Sequence, residues 1–134
     1  MSDAALESAL RKKTGRIVEV ALEMSAEDIT AIDIRKLSAY ADHFVIATGR
    51  SDRQVRAIAE SIVQALRDLG EEPLGTEGVD EGRWVLIDAN DVVVHVFDPD
   101  TRALYDLERL WSDAPRVDLA LPGAAPETVE AVEA

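Results

Sequence analysis

Between Val55 and Leu69 the apolar residues Val55, Ile58, Ala59, Ile62, Val63, Leu66 and Leu69 recur at three- and four-residue steps. That spacing lines one face of a helix, so a helix is predicted over Ser51 to Leu69. Its ends are marked as well: Ser51 with Gln54 has the S-x-x-Q form of a capping box, and Gly70 follows the last apolar position. A second helix is predicted over residues 4–24, where Ile17, Val18, Ala21 and Leu22 form the stripe and Gly15 weakens the first half. The β-branched runs Ile29 to Ile34 and His43 to Gly49 have strand length and read as neighbouring strands. Pro73 to Gly82 is punctuated by proline and glycine and leaves room for one short strand. Arg83 to Asp88 and Val92 to Phe97 then form two strands joined by the tight turn Ala89-Asn90-Asp91, a hairpin.

Asp98 as N-cap with Pro99 at the first helical position opens a last helix that is predicted to run to about Trp111. From there the pattern lapses. Residues 113–134 carry prolines, a glycine and alternating alanine and glutamate, and read as an acidic, disordered tail. The domain is therefore expected over residues 1–112. Helix, two strands, long helix, hairpin and helix together predict an α/β fold with a mixed β-sheet flanked by helices. The long helix supplies the crossover that a parallel strand pair requires.

Composition narrows the range of partners. The chain has 134 residues, 27 acidic against 14 Lys and Arg, and a net charge of −13. Such a balance repels nucleic-acid phosphates at long range and suits a basic partner, so no sequence-specific nucleic-acid binding is expected. The cluster Arg11, Lys12, Lys13 and Arg16 reads as a solvated helix face. There is no cysteine, hence no disulfide and no thiolate nucleophile or ligand. Neither a leader pattern nor a membrane-length apolar run is evident, which leads to the expectation of a soluble, cytoplasmic protein without membrane contact.

Little in the chain speaks for catalysis. His95 could be a general base oriented by Asp88 or Asp91, but no nucleophile motif accompanies it, and a histidine alternating with Val93 and Phe97 along a strand is more simply packed and hydrogen-bonded. His43 and His95 lack the spacing of a metal site, and Asp88 and Asp91 suit a turn, so neither metal nor cofactor is expected. Gly49 to Val55 runs from a strand into a helix start, where Arg50 and Arg53 could help hold an anion. A capped helix start needs no such ligand.

DHFVIATGRSDRQVRAIAE (42–60) and EGRWVLIDANDVVVHVFDPDTRALYDLERLW (81–111) resemble the bacterial ribosomal silencing factors, also called the Iojap-like family. The likeness spans roughly Ile17 to Trp111, with Trp84, Asp88, Asp91, His95, Tyr105, Leu107, Glu108, Leu110 and Trp111 carrying the pattern. One departure is Asn90, where the family usually has glycine; asparagine also tolerates the left-handed conformation, so the hairpin stands. The resemblance implies a translational repressor that binds the large ribosomal subunit through its fourteenth protein (uL14) and sterically blocks joining with the small subunit when nutrients are short. It also implies a nucleotidyltransferase-like sandwich. That enzyme class needs a Gly-Ser loop and an Asp-x-Asp pair; Gly49 and Ser51 faintly echo the loop, but only Asp88 and Asp91 follow, spaced across a turn. The expectation is thus a binding protein and not an enzyme, with a nucleotide-acting enzyme built on Gly49, Ser51, Asp88 and Asp91 as the rival.

For the partner-binding surface the chain offers Trp84, Leu86 and Asp88 on one strand face, with Asp91, His95, Tyr105 and Glu108. Trp111 is assigned to the core because it continues a Leu104, Leu107 stripe. A homodimer or weak self-association is expected when no ribosome is present, on the resemblance and on the open edge of the hairpin.

Overall fold

The computed structural model describes residues 3–119. Helix α1 (Asp3–Glu23) is followed by strands β1 (Glu27–Asp33) and β2 (His43–Thr48), helix α2 (Asp52–Asp68), strands β3 (Gly75–Glu77), β4 (Trp84–Ala89) and β5 (Val92–Phe97), and two short helices, α3 (Pro99–Tyr105) and α4 (Leu107–Leu110). The five strands form one mixed sheet in the order β1-β2-β5-β4-β3. Its central pair, β2 with β5, is parallel, and the other three pairs are antiparallel. α2 lies on the connection between the two parallel strands, as the crossover argument requires.

Burial follows from strand position. Every residue of β2 and β5 is buried, because both strands are covered on both faces. β4 alternates instead: Val85, Ile87 and Ala89 are buried, while Trp84, Leu86 and Asp88 are half-buried on the opposite face. On the first face Ile17, Ala21, Ile58 and Ile62 of the two long helices pack in one apolar cluster with Val45, Val85 and Val94. On the second face a smaller cluster of Ile32, Ile34, Phe44, Val93 and Ala114 is joined by Leu86 and Trp111.

The long helix is built as its pattern predicts. Ser51 Oγ accepts from the Gln54 N–H at 3.1 Å, although the Gln54 side chain accepts from the Arg50 N–H at 2.7 Å where a standard capping box would return to Ser51. At the other end Gly70 has φ +83°, the Glu71 N–H reaches Leu66 O at 2.9 Å, and the Gly70 N–H reaches Arg67 O at 2.9 Å. This is a Schellman closure, which glycine makes without a Cβ clash. The hairpin turn uses Asn90 at φ +74°, with its N–H bonded to Asp88 Oδ1 at 3.0 Å.

Several expectations change. The last helix is not continuous: Asp106 sits in the left-handed region (φ 49°, ψ 52°), which ends α3 and starts α4 on a new axis. The break rotates the stripe. Leu104, read as core, is 77% exposed, whereas Trp111 is half-buried with its ring edge-on to Phe44 at 5.3 Å. The hairpin edge is not open either, because β3 pairs with β4 through Gly75 to Glu77.

The fold also continues past Ser112. Arg116 forms a bridge with Ile32, Asp33 N–H donates to Pro115 O at 2.8 Å, Val117 N–H donates to Ala31 O at 2.9 Å, and Ala114 and Val117 are buried. This segment lies against the outer edge of β1 and satisfies backbone groups there. The remainder of the expected tail, from Ala120 on, lies outside the described residues.

Candidate partner-binding surface

The register of the β4–β5 pair sets Trp84 opposite Phe97 and Leu86 opposite His95. Cross-strand neighbours on one face touch, and here they are mostly aromatic. The Trp84 ring stacks on Phe97 with centroids 5.0 Å apart, and Tyr105 at the end of α3 lies against Trp84 at 4.6 Å. Beneath, His95 meets Phe44 edge-on at 4.8 Å. Tyr105 is 53% exposed and Trp84 half-buried, so the stack runs from the sheet out to solvent. Leu104 and Leu110 on α3 and α4 are more exposed still. Exposed apolar side chains beside an aromatic anchor are the composition of a protein-docking surface.

His95 supports this surface from inside. The Trp84 indole N–H donates to His95 Nδ1 at 3.1 Å, which fixes the indole and leaves the single proton of the neutral ring on Nε2. Burial pushes the imidazole down to about 4, so it is neutral near pH 7. Nε2 is buried and has no hydrogen-bond partner. With one nitrogen occupied and the other sealed from solvent, the ring has no route to a substrate proton. The other histidine, His43, is likewise buried; its Nδ1 lies 2.8 Å from Thr14 Oγ1, and burial lowers its pKa.

Glu108 has a different task from the one expected. It holds Arg102, whose Nη2 and Nε donate to Glu108 Oε2 at 2.6 and 3.0 Å while Nη1 donates to Thr48 Oγ1 at 2.7 Å. Arg102 is buried, and the charged pair braces α3 and α4 against the end of β2. The brace fixes where Tyr105 stands. Asp106 would break a longer helix at this point, and the Arg102–Glu108 pair spans the break.

Asp91 stands apart from the aromatic patch, on the α1 side of the sheet. Its carboxylate accepts from Lys13 Nζ at 2.6 Å, and the same ammonium donates to Glu71 Oε1 at 2.6 Å and Ala89 O at 2.7 Å. Lys13 belongs to α1, on the face of the sheet opposite Trp84. Burial acts to lower the Lys13 pKa, but the hydrogen bonds that Lys13 donates to Asp91 and Glu71 outweigh it and the pKa is raised. Asp88 does share the Trp84 face and is half-buried, but it caps the hairpin turn at the far end of β4, about 13 Å along the strand from Trp84.

The rival catalytic constellation is not assembled. Gly49 N–H bonds to Phe97 O at 2.8 Å, which sets Gly49 and Ser51 at the end of β5, while His43 N–H bonds to Asp91 O at 3.1 Å at its start. The six-residue strand β5, about 20 Å long, separates Asp91 from that loop. Gly49 serves packing: a Cβ there would lie 2.9 Å from both Val55 N and Val55 Cγ2. At the helix start considered for an anion, Arg50 pairs with Glu27 at 3.1 Å. Among the described residues no group of three or more His, Asp or Glu side chains could hold a metal ion, and no helix is long and apolar enough to cross a membrane.

The structure thus brings together Trp84, Leu86, His95 and Tyr105 from the expected set, separates Asp91, and leaves Asp88 on the same face but at the far end of β4. Phe44, Phe97, Arg102, Leu104 and Leu110 were missed. Strand alternation places Phe97 on the face of His95 but does not assign it to the surface, whereas the exposure of Leu104 depends on the Asp106 break, which has no motif.

Comparison with known proteins identifies the family. The model of the family "ribosomal silencing factor during starvation" matches residues 7–133. The chain belongs to the ribosomal silencing factor family. A ribosomal silencing factor of Bacillus subtilis is 52% identical over 94 residues, covering 70% of this chain and 80% of the relative. The mouse protein named for mitochondrial assembly of the ribosomal large subunit is 31% identical over 99 residues, covering 72% of this chain and 43% of its own length. The crystal structure of protein CV0518 from Chromobacterium violaceum superposes with a TM-score of 0.74 at 37% identity, covering 86% of this chain and 95% of that one. The ribosomal silencing factor model also takes in nearly all of the segment after Ser112, beyond the reach of the motifs around Trp84 and His95. As a silencing factor, the chain acts in regulation of translation at the ribosome.

Proposed function

We propose that the chain binds the large ribosomal subunit through its fourteenth protein (uL14) and represses translation by occupying the face on which the small subunit docks. The observation that carries this reading is the Tyr105–Trp84–Phe97 stack, open to solvent at Tyr105, with Leu104 of α3 and Leu110 of α4 exposed as well. Aromatic rings held rigid by their neighbours make strong anchors, since little side-chain entropy is lost when they dock. Asp100 and Asp106 are exposed beside the patch, and a net charge of −13 steers the chain toward a basic protein in an RNA-rich setting. In this reading Trp84, Leu86, Tyr105, Leu104 and Leu110 make contact, Asp88 lies at the rim, and His95 and Glu108 hold the surface in shape. The chemistry is occlusion and not turnover, and the protein acts in the cytoplasm where subunits join. Without ribosomes the same apolar patch promotes weak self-association, which light scattering at rising concentration measures.

Tyr105→Ala is the test. Co-sedimentation with purified large subunits, and binding to isolated uL14, should weaken about thirtyfold, or about 2 kcal/mol, while thermal unfolding changes little. Addition of the parent protein to large subunits before small ones should reduce the joined-particle peak on a sucrose gradient, and the variant should do so only at higher concentration. Trp84→Ala is a poorer probe, because the half-buried ring is stacked and hydrogen-bonded and its loss costs folding stability as well. If Tyr105→Ala folds normally and co-sediments as the parent does, the docking surface lies elsewhere.

A further inference from the structure

Away from the aromatic patch, a groove of about 490 Å³ runs along α1. Its apolar floor is Gly15, Leu69 and Leu119, and its wall carries Arg11, Lys12 and Arg16 together with Ser8 and the single acid Glu19, so the lining is cationic on balance. Leu69 is 47% exposed at the C-cap of α2, and a Cβ on Gly15 would meet nothing within 4 Å. Two of the cations have acidic neighbours: Arg16 pairs with Glu19 and lies 3.8 Å from Glu23, and Arg11 lies 3.9 Å from Glu7. Among the described residues no acid pairs with Lys12. In a chain with a net charge of −13, a cationic groove with an apolar floor calls for an occupant.

The chain itself leads into this groove. After Val117 bonds to Ala31 at the sheet edge, Arg11 Nη1 reaches Asp118 O at 3.4 Å and Leu119 lines the floor. Residues 120–134 follow directly. They carry Glu127, Glu130 and Glu133 with Leu121, Val129 and Val132, and contain no Lys or Arg. Fifteen residues can extend about 50 Å, and α1 is about 31 Å long, so reach along the helix sets no limit.

We propose that the groove on α1 is the docking site for residues 120–134 of the same chain, held by Glu127, Glu130 and Glu133 on Arg11, Lys12 and Arg16. A tethered segment competes at a millimolar effective concentration and has only a loop to close. A separate acidic protein would have to approach against the net charge of the whole molecule. The docked segment also covers the cationic strip, so that phosphates on an RNA-rich partner meet an acidic surface there. This inference is independent of which ribosomal protein the aromatic patch contacts.

The test uses the full chain, which has no cysteine, so that a nitroxide at Ala131→Cys is the sole thiol label. Backbone amides of Arg11 to Glu19 and of Leu69 should lose most of their signal intensity relative to the reduced label, while those around Tyr105 should keep theirs. Charge reversal in Lys12→Glu/Arg16→Glu should restore the lost signals, and so should salt at about 1 M, where the screening length falls to about 3 Å. Circular dichroism of the reversed variant confirms the fold. Broadening spread evenly over the chain, or unchanged by charge reversal, overturns the proposal. So does broadening that persists undiminished when the nitroxide is on one molecule and the isotope on another, for the occupant would then be a second copy.

Discussion

Acid should reveal His95. Its imidazole lies at about 4 in the folded protein and near 6.5 when the chain unfolds. Above pH 6.5 both states are neutral and the histidine contributes no pH dependence. As pH falls from 6.5 toward 4 the unfolded chain takes up a proton that the folded ring, desolvated under Phe44 and Trp84, does not accept, so stability is lost with acid. Linkage over that window gives a loss of about 2 kcal/mol between pH 7 and pH 5. His43 acts with the same sign, since burial lowers its pKa too. A variant must therefore isolate His95. His95→Asn keeps an acceptor near Nδ1 for the Trp84 indole but cannot be protonated. It should be less stable than the parent at pH 7, by about 2 kcal/mol for lost packing. On going to pH 5 that gap should nearly close. Urea unfolding at fixed ionic strength measures it; with a slope of about 1.5 kcal/mol/M for a chain of this size, the parent midpoint should fall by about 1.3 M more than the variant's. Parallel curves, with the gap unchanged from pH 7 to pH 5, would refute the reasoning: His95 would then be accessible or ion-paired in the fold.

Three further outcomes follow from the packing. A chain ending at Ser112 should be roughly 3 kcal/mol less stable than one ending at Leu119, through loss of Val117, Ala114 and their bonds to β1; equal melting of the two overturns the role of residues 114–117. Gly15→Ala should raise stability by about 0.8 kcal/mol, because the added Cβ meets nothing and helix entropy improves, and a lower melting temperature refutes this. Lys13→Met should cost about 2 kcal/mol, since Ala89 O loses a buried donor, while Asp91 and Glu71 are exposed enough to take up water; an unchanged denaturation midpoint would show that the three bonds contribute nothing.

Much of the architecture can be read without coordinates, because it is written in short-range periodicity. The three- and four-residue steps of α2, the alternation in β4, the turn at Asn90 and the proline after Asp98 each set a local conformation through sterics and backbone bonding within a few residues. The aromatic face was half legible for the same reason: Trp84 and Leu86 had to share a side of their strand. That His95 is neutral and bonded to the indole was not legible, since it depends on the cross-strand register and on Phe44 from a strand some fifty residues away in sequence.

Other features belong to tertiary structure alone. Asp91 and Glu108 look alike as acidic surface residues in sequence, yet one is drawn to Lys13 on the far face and the other to Arg102 of α3. The Lys13 partner of Asp91 lies far away in sequence, and although Arg102 is a near neighbour of Glu108 it is also held by Thr48 of β2, so packing between distant segments enters both pairs. The same holds for residues 114–117, whose unpatterned sequence finds its place only because the edge of β1 offers unpaired backbone groups. Local sequence, then, determined the helices, the strands and the hairpin, through interactions that span one turn or one strand pair. The tertiary structure decided which ends of the sheet meet, where α3 breaks from α4 and which acids face solvent, because those depend on contacts between segments far apart in the chain.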